Sequence, residues 1–184
     1  MDHYVDIRMR PNAEIAEQIS MNEVFFRLHK ALVEVGEGEI GVSFPQFATT
    51  LGNCLRVHGS RPSLTHLMAL PWVKGVEDYA SVSCIKLIPQ GVSYKVVKRR
   101  QVKSSPERLM RRSLKRGSIT QELAEEKFAD CKAETTSLPY VRLKSLSTGQ
   151  TFRLFVEQGP TVPDPVAGTF SAYGLSSTAT VPWF

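Results

Sequence analysis

His3-Tyr4-Val5-Asp6-Ile7-Arg8-Met9-Arg10 decides how the first half of the chain is read. Val5, Ile7 and Met9 fall on one side and Asp6, Arg8 and Arg10 on the other, the period of two that marks a half-buried strand. Ser20-Met21-Asn22-Glu23 then has the form of a capping box. Behind it Met21, Phe25, Leu28 and Leu32 recur at helical spacing, and Gly36-Glu37-Gly38 stops the helix near Val35. Ile40 to Phe44 predicts a second strand ending at Pro45, Cys54 to His58 a third with Leu55 and Val57 inward, and Val82 to Ile88 a fourth. Before the fourth, Ser63 caps a helix through about Leu70. The resulting order, β-α-β-β-α-β, is the ferredoxin-like arrangement, which by itself establishes no function.

Pro89-Gln90-Gly91 reads as a boundary, giving an α+β chain of two domains: 1–91, ferredoxin-like, and 92–184, a divergent α/β part built differently. The second part opens with a basic strand and a basic helix. A mixed-charge helix from about Thr120 to Ala129 follows as scaffold. Tyr140 to Lys144 and Phe152 to Glu157 are strand-like and joined by Ser145-Leu146-Ser147-Thr148-Gly149-Gln150, a Gly-containing turn typical of a hairpin. There are no internal repeats or low-complexity stretches.

The 184 residues suffice for one ordinary core or two small ones, which excludes a large multidomain enzyme. Three dispersed cysteines, Cys54, Cys84 and Cys131, form no C-x-x-C pair, so a disulfide framework and a zinc knuckle are not suggested and a reducing compartment is expected. With no basic n-region followed by an apolar h-region and no run approaching a membrane span, the expected location is the cytoplasm, away from any membrane.

The net charge of +5 is unevenly spread. Residues 94–116 hold ten Lys and Arg against Glu107 alone, a net of +9, so the remainder of the chain carries −4. Ser105-Pro106-Glu107 reads as N-cap, N1 proline and acidic first turn, and Gly117 as the stop. On the helix between them Arg108, Arg111, Arg112, Lys115 and Arg116 share one face, with Met110 and Leu114 opposite. A solvated face is the ordinary fate of a charge run. Here the counter-charges are missing, and like charges at this spacing repel by a few tenths of a kcal/mol per pair. A polyanion removes that repulsion, and the guanidinium fork suits phosphate and guanine edges, so nucleic acid is the expected partner. The pattern does not separate DNA from RNA.

No metal site is suggested, because His3, His29, His58 and His66 are scattered without H-x-x-x-H spacing or a carboxylate cluster. The phosphate-binding patterns G-x-G-x-x-G and G-x-x-x-x-G-K-[ST] are absent too, so no cofactor is expected. His29 follows Leu28 at the edge of the apolar stripe, where an imidazole is sheltered yet reaches a surface. By position alone such a histidine is more often packed or solvated than catalytic, and an ordinary pKa of about 6.5 is common to all histidines. Ser145 and Tyr173 are equally anonymous, a turn and a strand residue.

Taken together, the pieces resemble the CRISPR repeat-processing endoribonucleases of type I-F systems over nearly the whole chain. The resemblance rests on Met1-Asp2-His3-Tyr4 with Asp6-Ile7-Arg8, Leu28-His29, Ile40-Gly41-Val42-Ser43-Phe44-Pro45, and Lys103-Ser104 with Pro106-Glu107-Arg108-Leu109. It continues through Ser147-Thr148-Gly149-Gln150, Phe152-Arg153-Leu154-Phe155, Tyr173-Gly174-Leu175-Ser176 and Val181-Pro182-Trp183-Phe184. It implies a ferredoxin-like N-terminal domain and a C-terminal domain whose arginine-rich helix enters the major groove of an RNA stem-loop. A-form grooves are normally too narrow for this, but a short hairpin is open at its loop end.

The resemblance further implies His29 as the catalytic histidine, Ser145 as the serine that positions the ribose 2′-hydroxyl, and Tyr173 as the support of the histidine. Arg99 and Gln101 match a linker pair that reads purines in the lower stem, and Phe152 an aromatic that stacks under the terminal base pair. Arg108, Arg111, Arg112, Lys115 and Arg116 would hold the stem. The implied reaction is metal-independent: 2′-hydroxyl attack at the base of the stem, giving a 2′,3′-cyclic phosphate, with the cut repeat hairpin retained and other subunits of the surveillance complex as protein partners. Ser147 is an alternative to Ser145, Phe152 reads equally as a strand core residue, and Arg108 as a helix brace. Arg100, between the two readers, departs from the pattern, as do Ser113 and Lys115 on the helix. A non-cleaving RNA-hairpin-binding subunit is the second reading, and a DNA-binding regulator, which lacks a helix-turn-helix signature, the third.

Overall fold

A computed structural model describes every residue except 37, 103–105, 124–133 and 146, and every side chain except those residues' and those of 106–109 and 112. The first half runs β1 (His3–Met9), α1 (Glu17–Val35), β2 (Gly41–Ser43), β3 (Cys54–Gly59), α2 (Arg61–Ala69), a 3₁₀ turn (Pro71–Val73), β4 (Ala80–Val82) and β5 (Lys86–Leu87). These strands form one sheet in the order β2-β3-β1-β4, with β5 also on β1, and every pairing is antiparallel. The second half contributes β6 (Ser93–Arg100), α3 (Pro106–Lys115), β7 (Tyr140–Lys144), β8 (Thr151–Val162) and β9 (Thr180–Trp183). Its strands make an antiparallel sheet in the order β7-β8-β6-β9. The fold is therefore α+β with two sheets. The described residues divide into two compact units: residues 1–100 with 138–184, which hold both sheets, and residues 101–137, which hold α3.

The expected apolar stripes build the core. Val5, Ile7 and Met9 of β1 meet Met21, Phe25, Leu28 and Leu32 of α1 and Leu55 and Val57 of β3, all under a tenth exposed. Each such fully buried side chain contributes roughly 1.5–3 kcal/mol. α1 stops where Gly36 turns left-handed at φ 73 and its N–H reaches Leu32 O.

Three local expectations are corrected. α1 begins at Glu17 behind Ala16, a turn before the Ser20 capping box, and has no side-chain cap. Ser20 is buried inside the helix, and the chain is turned into it by Asn12, whose Oδ1 accepts from the Glu14 and Ile15 N–H groups. In α2 the cap is Ser60 and not Ser63: Ser60 Oγ accepts from Ser63 N, and Ser63 Oγ donates to Glu39. The fourth strand is two short ones, β4 and β5. Between them Ser83 Oγ accepts from Asp6 N, a side chain taking a ladder position that a backbone carbonyl would otherwise fill.

The outer face of β1 and β3 also departs from the half-buried expectation, because Asp6, Arg56 and His58 are buried as well. Asp6 and Arg56 stand directly opposite each other in the β1–β3 ladder. Arg56 donates from Nε to Asp6 Oδ1 at 2.6 Å and from Nη2 to Oδ2 at 3.0 Å, a bidentate fork. Its Nη1 donates to Phe184 O at 2.8 Å, and the guanidinium stacks 4.0 Å from the Phe184 ring and 4.7 Å from Tyr4. This ties the residue that follows β9, and so the second sheet, to the first.

In the second unit α3 begins at Pro106 and runs to Lys115, and Gly117 turns at φ 66 while Ser118 N reaches back to Ser113 O, as the stop requires. The expected Ser105 cap lies outside the described residues, and so does the helix predicted to Ala129 beyond Leu123. No described helix is long and apolar enough to cross a membrane.

Candidate active site

His29 projects from α1 just past fully buried Leu28 and is itself half-buried. Its Nδ1 lies 2.8 Å from Ala172 O. A carbonyl only accepts, so Nδ1 carries a proton, which in the neutral tautomer leaves the lone pair on Nε2. The Tyr173 ring stacks on the imidazole at 4.1 Å between centroids and 18° between planes, fixing its tilt.

Tyr173 lies in a turn and not in a strand as expected. Ser171 N reaches Leu175 O, Gly174 N reaches Ser171 O, and Tyr173 N donates to Ser171 Oγ. Gly174 is required here: its φ is +68, and a Cβ would fall 2.6 Å from Val42 Cγ1. Its carbonyl accepts from Val42 N, which fastens the turn to β2. Backbone atoms of this kind leave no mark in a sequence pattern, so the partner of His29 was not legible there.

From Tyr173 the contacts continue to Arg99 at the end of β6. Its guanidinium is 5.8 Å from the Tyr173 centroid and 5.7 Å from Phe152, within cation–π range of both rings. Phe152, half-buried at the start of β8, is packed against the core and pairs across the ladder with Leu143. His29, Tyr173, Arg99 and Phe152 thus form one connected row. Ser145 follows β7 in the same hairpin. Its Oγ accepts from Thr148 N at 3.2 Å and lies 3.2 Å from Ser147 Oγ. Among the described residues its hydrogen bonds stay within that turn, and both serines present hydroxyls at one place.

The remaining expected residues lie in the second unit. Gln101, Arg111, Lys115 and Arg116 are exposed, and Arg111, Lys115 and Arg116 have no ion-pair partner among the described residues. The side chains of Arg108 and Arg112 lie outside the described residues. No group of three or more His, Cys, Asp or Glu among the described residues could hold a metal ion.

A second histidine, fully buried in β3, behaves in the opposite way. His58 Nε2 is 2.8 Å from Ser43 Oγ, and burial, helped by the nearby Arg56 charge, pushes its pKa down to about 3. It is neutral and sealed. Beside it Asp6 stays below the ordinary carboxylate range, since burial, which would raise it, is outweighed by the Arg56 fork and charge.

A family model described as CRISPR-associated protein (Cas_Csy4) matches residues 4–184. The CRISPR-associated endonuclease Cas6/Csy4 of Escherichia coli (strain UTI89 / UPEC) is 46% identical over 184 residues, covering the whole of both chains. The protein of the same description from Pseudomonas aeruginosa (strain UCBPP-PA14) is 43% identical over 187 residues, again end to end. With a family match across nearly its whole length and such relatives, the chain belongs to the Cas6/Csy4 family of CRISPR-associated endonucleases.

Proposed function

We propose that the chain binds the CRISPR repeat stem-loop and cuts precursor RNA at the base of the stem without metal, by attack of a ribose 2′-hydroxyl on the adjacent phosphorus. The observation that carries this reading is the His29 geometry: Nδ1–H spent on a carbonyl, Nε2 left as a base, and a stacked tyrosine holding the plane. His29 Nε2 takes the 2′-hydroxyl proton, the oxygen attacks in line, the 5′-oxygen leaves, and a 2′,3′-cyclic phosphate remains. A positioned base is typically worth about 10² to 10⁴ in rate. Ser145, with Ser147 beside it, positions the 2′-hydroxyl, and holding that oxygen in line adds an orientation term.

Phe152 stacks under the terminal base pair, and Arg99 with Gln101 reads purine edges in the lower stem. Arg108, Arg111, Arg112, Lys115 and Arg116 neutralise stem phosphates; the sequence of residues 94–116, with Glu107 as its one acidic residue, supports this assignment. The product stays bound, and the chain joins the other protein subunits of the type I-F surveillance complex. The ferredoxin-like reading of the first part is supported by the antiparallel order β2-β3-β1-β4 with two helical connections. Domains 1–91 and 92–184 are supported by the strands, since β1–β5 build one sheet and β6–β9 the other. A reducing, cytoplasmic setting suits the dispersed cysteines.

The test is incubation of wild type and His29→Ala with the cognate repeat hairpin in EDTA, following cleavage and filter retention together. Cutting by wild type alone with retention by both supports the reading. A hairpin with a 2′-deoxy scissile nucleotide is then expected to bind uncut. Retention with no cutting by either protein would establish the non-cleaving structural subunit instead.

A further inference from the structure

Side chains alternate across a strand, so Arg99 and Arg100 at the end of β6 face opposite sides of the second sheet. Arg99 pairs with Val156, on the side of the core and the candidate site, whereas Arg100 pairs with Phe155 on the other side. The register gives Arg100 company. On that outer face β7 presents Tyr140, Arg142 and Lys144 directly opposite Phe155, Arg153 and Thr151 of β8.

Arg142 and Arg153 are a like-charged cross-strand pair, an arrangement that destabilises a sheet. Both are exposed, and among the described residues none of Arg100, Arg142, Lys144 and Arg153 has an ion-pair partner. One row along, the same sheet does neutralise its charge, with Lys98 Nζ 3.0 Å from Glu157 Oε1. Between the unpaired cations lie two aromatic rings: Arg153 sits 4.8 Å over Tyr140, and Tyr140 meets Phe155 edge-on at 5.5 Å.

We propose that this outer face is a second RNA-binding surface, and that it takes the single-stranded segment leaving the stem 3′ of the cut. The inference rests on the proposed function, which puts the stem over Phe152 and the scissile ribose at Ser145. Lys144 on the outer face immediately precedes Ser145 in the chain, so a strand crossing the break passes from the serine turn onto the cations behind it. Cations interleaved with aromatic rings suit a single strand, whose phosphates pair with the charges while its unstacked bases lie on the rings.

The test uses the uncleavable 2′-deoxy hairpin, bare and with a 3′ single-stranded tail of about ten nucleotides. Binding is measured by filter retention across a salt series for wild type, Arg100→Ala and Arg142→Ala/Arg153→Ala. The tail is expected to tighten wild-type binding about tenfold or more, and the double variant to lose most of that gain while holding the bare hairpin as before. The slope of log affinity against log salt for the tailed RNA should fall by about 0.7 for each phosphate-contacting cation removed. Because Arg142 and Arg153 repel, the double variant should keep or raise its Tm, which separates lost binding from lost folding. A tail that adds nothing in wild type, or adds equally to wild type and variant, would overturn the proposal and leave the face to a protein partner. Failure of wild type to hold even the bare hairpin would overturn the underlying functional reading and this inference with it.

Discussion

His58 and His29 carry the same ring in two settings made by neighbouring elements. In β3 the imidazole has no exposure, hands one nitrogen to Ser43 and is held neutral, with its pKa pushed down to about 3. On α1 the imidazole is half-buried and gives one N–H to the Ala172 carbonyl, and among the described residues no hydrogen bond is made by the other nitrogen. The first histidine is enclosed by packing and the second is partly open to solvent. The ring sets the available chemistry; which nitrogen is occupied, and by what, sets whether it is used.

The largest effect that tests this contrast is on rate. His29→Ala is expected to lower cleavage of the repeat hairpin by about 10² to 10⁴ while leaving hairpin affinity and Tm near wild type. His58→Gln should do the reverse, cutting at near wild-type rate but with altered stability. Single-turnover cleavage and thermal melts of both variants decide it, and a His58→Gln protein that folds yet does not cut would break the comparison.

The next effect is on stability and comes from the buried charge beside His58. Arg56→Ala leaves Asp6 buried with its main partner gone, which typically destabilises by about 3–5 kcal/mol. It also releases Phe184 from Arg56. Urea unfolding should show that loss. A midpoint unchanged in Arg56→Ala would mean that water replaces the guanidinium at no net penalty.

Smaller still is the pH dependence. The unfolded chain protonates His58 near its ordinary 6.5, the folded protein only near about 3. The unfolded state therefore binds the extra proton between these values. The His58 contribution to stability is complete above about 6.5 and is lost as the pH falls toward about 3, with a slope of up to about 1.4 kcal/mol per pH unit. Asp6 has a lowered pKa and adds its own loss only below its ordinary 3.8, so pH 6.5 to 4.5 reports on the histidine. Unfolding free energies of wild type and His58→Gln should diverge from each other over that window. Parallel profiles would show that another group sets the acid limit.

The contrast also marks what could be read from the sequence. The apolar stripes of β1 and α1 and the glycine stops at Gly36 and Gly117 were legible because each is a local, periodic consequence of side-chain chemistry. Two helix starts were not, since Ser20 and Ser63 look like caps yet both are buried, Ser63 with its hydroxyl on Glu39, whereas the start of α3 at Pro106 was. Asp6 was assigned to the solvent side because alternation says which residues share a face, not whether another element covers it. In the candidate site the residue types came from resemblance to a family, while the Ala172 carbonyl, the Gly174–Val42 fastening and the split of Arg99 from Arg100 are matters of backbone position and register that only the fold supplies.

The smallest effect concerns the stack that holds His29. If Tyr173 acts by fixing the plane of the imidazole, the ring matters and the hydroxyl does not. Tyr173→Phe should then cut at close to the wild-type rate. Tyr173→Leu removes a contact worth about 0.5–1.5 kcal/mol and should slow cleavage by up to about tenfold, with hairpin affinity lowered only as far as Arg99 loses its second ring. An equal drop in Tyr173→Phe and Tyr173→Leu would assign the work to the phenol oxygen instead, and would move Tyr173 from positioning the base to touching the RNA.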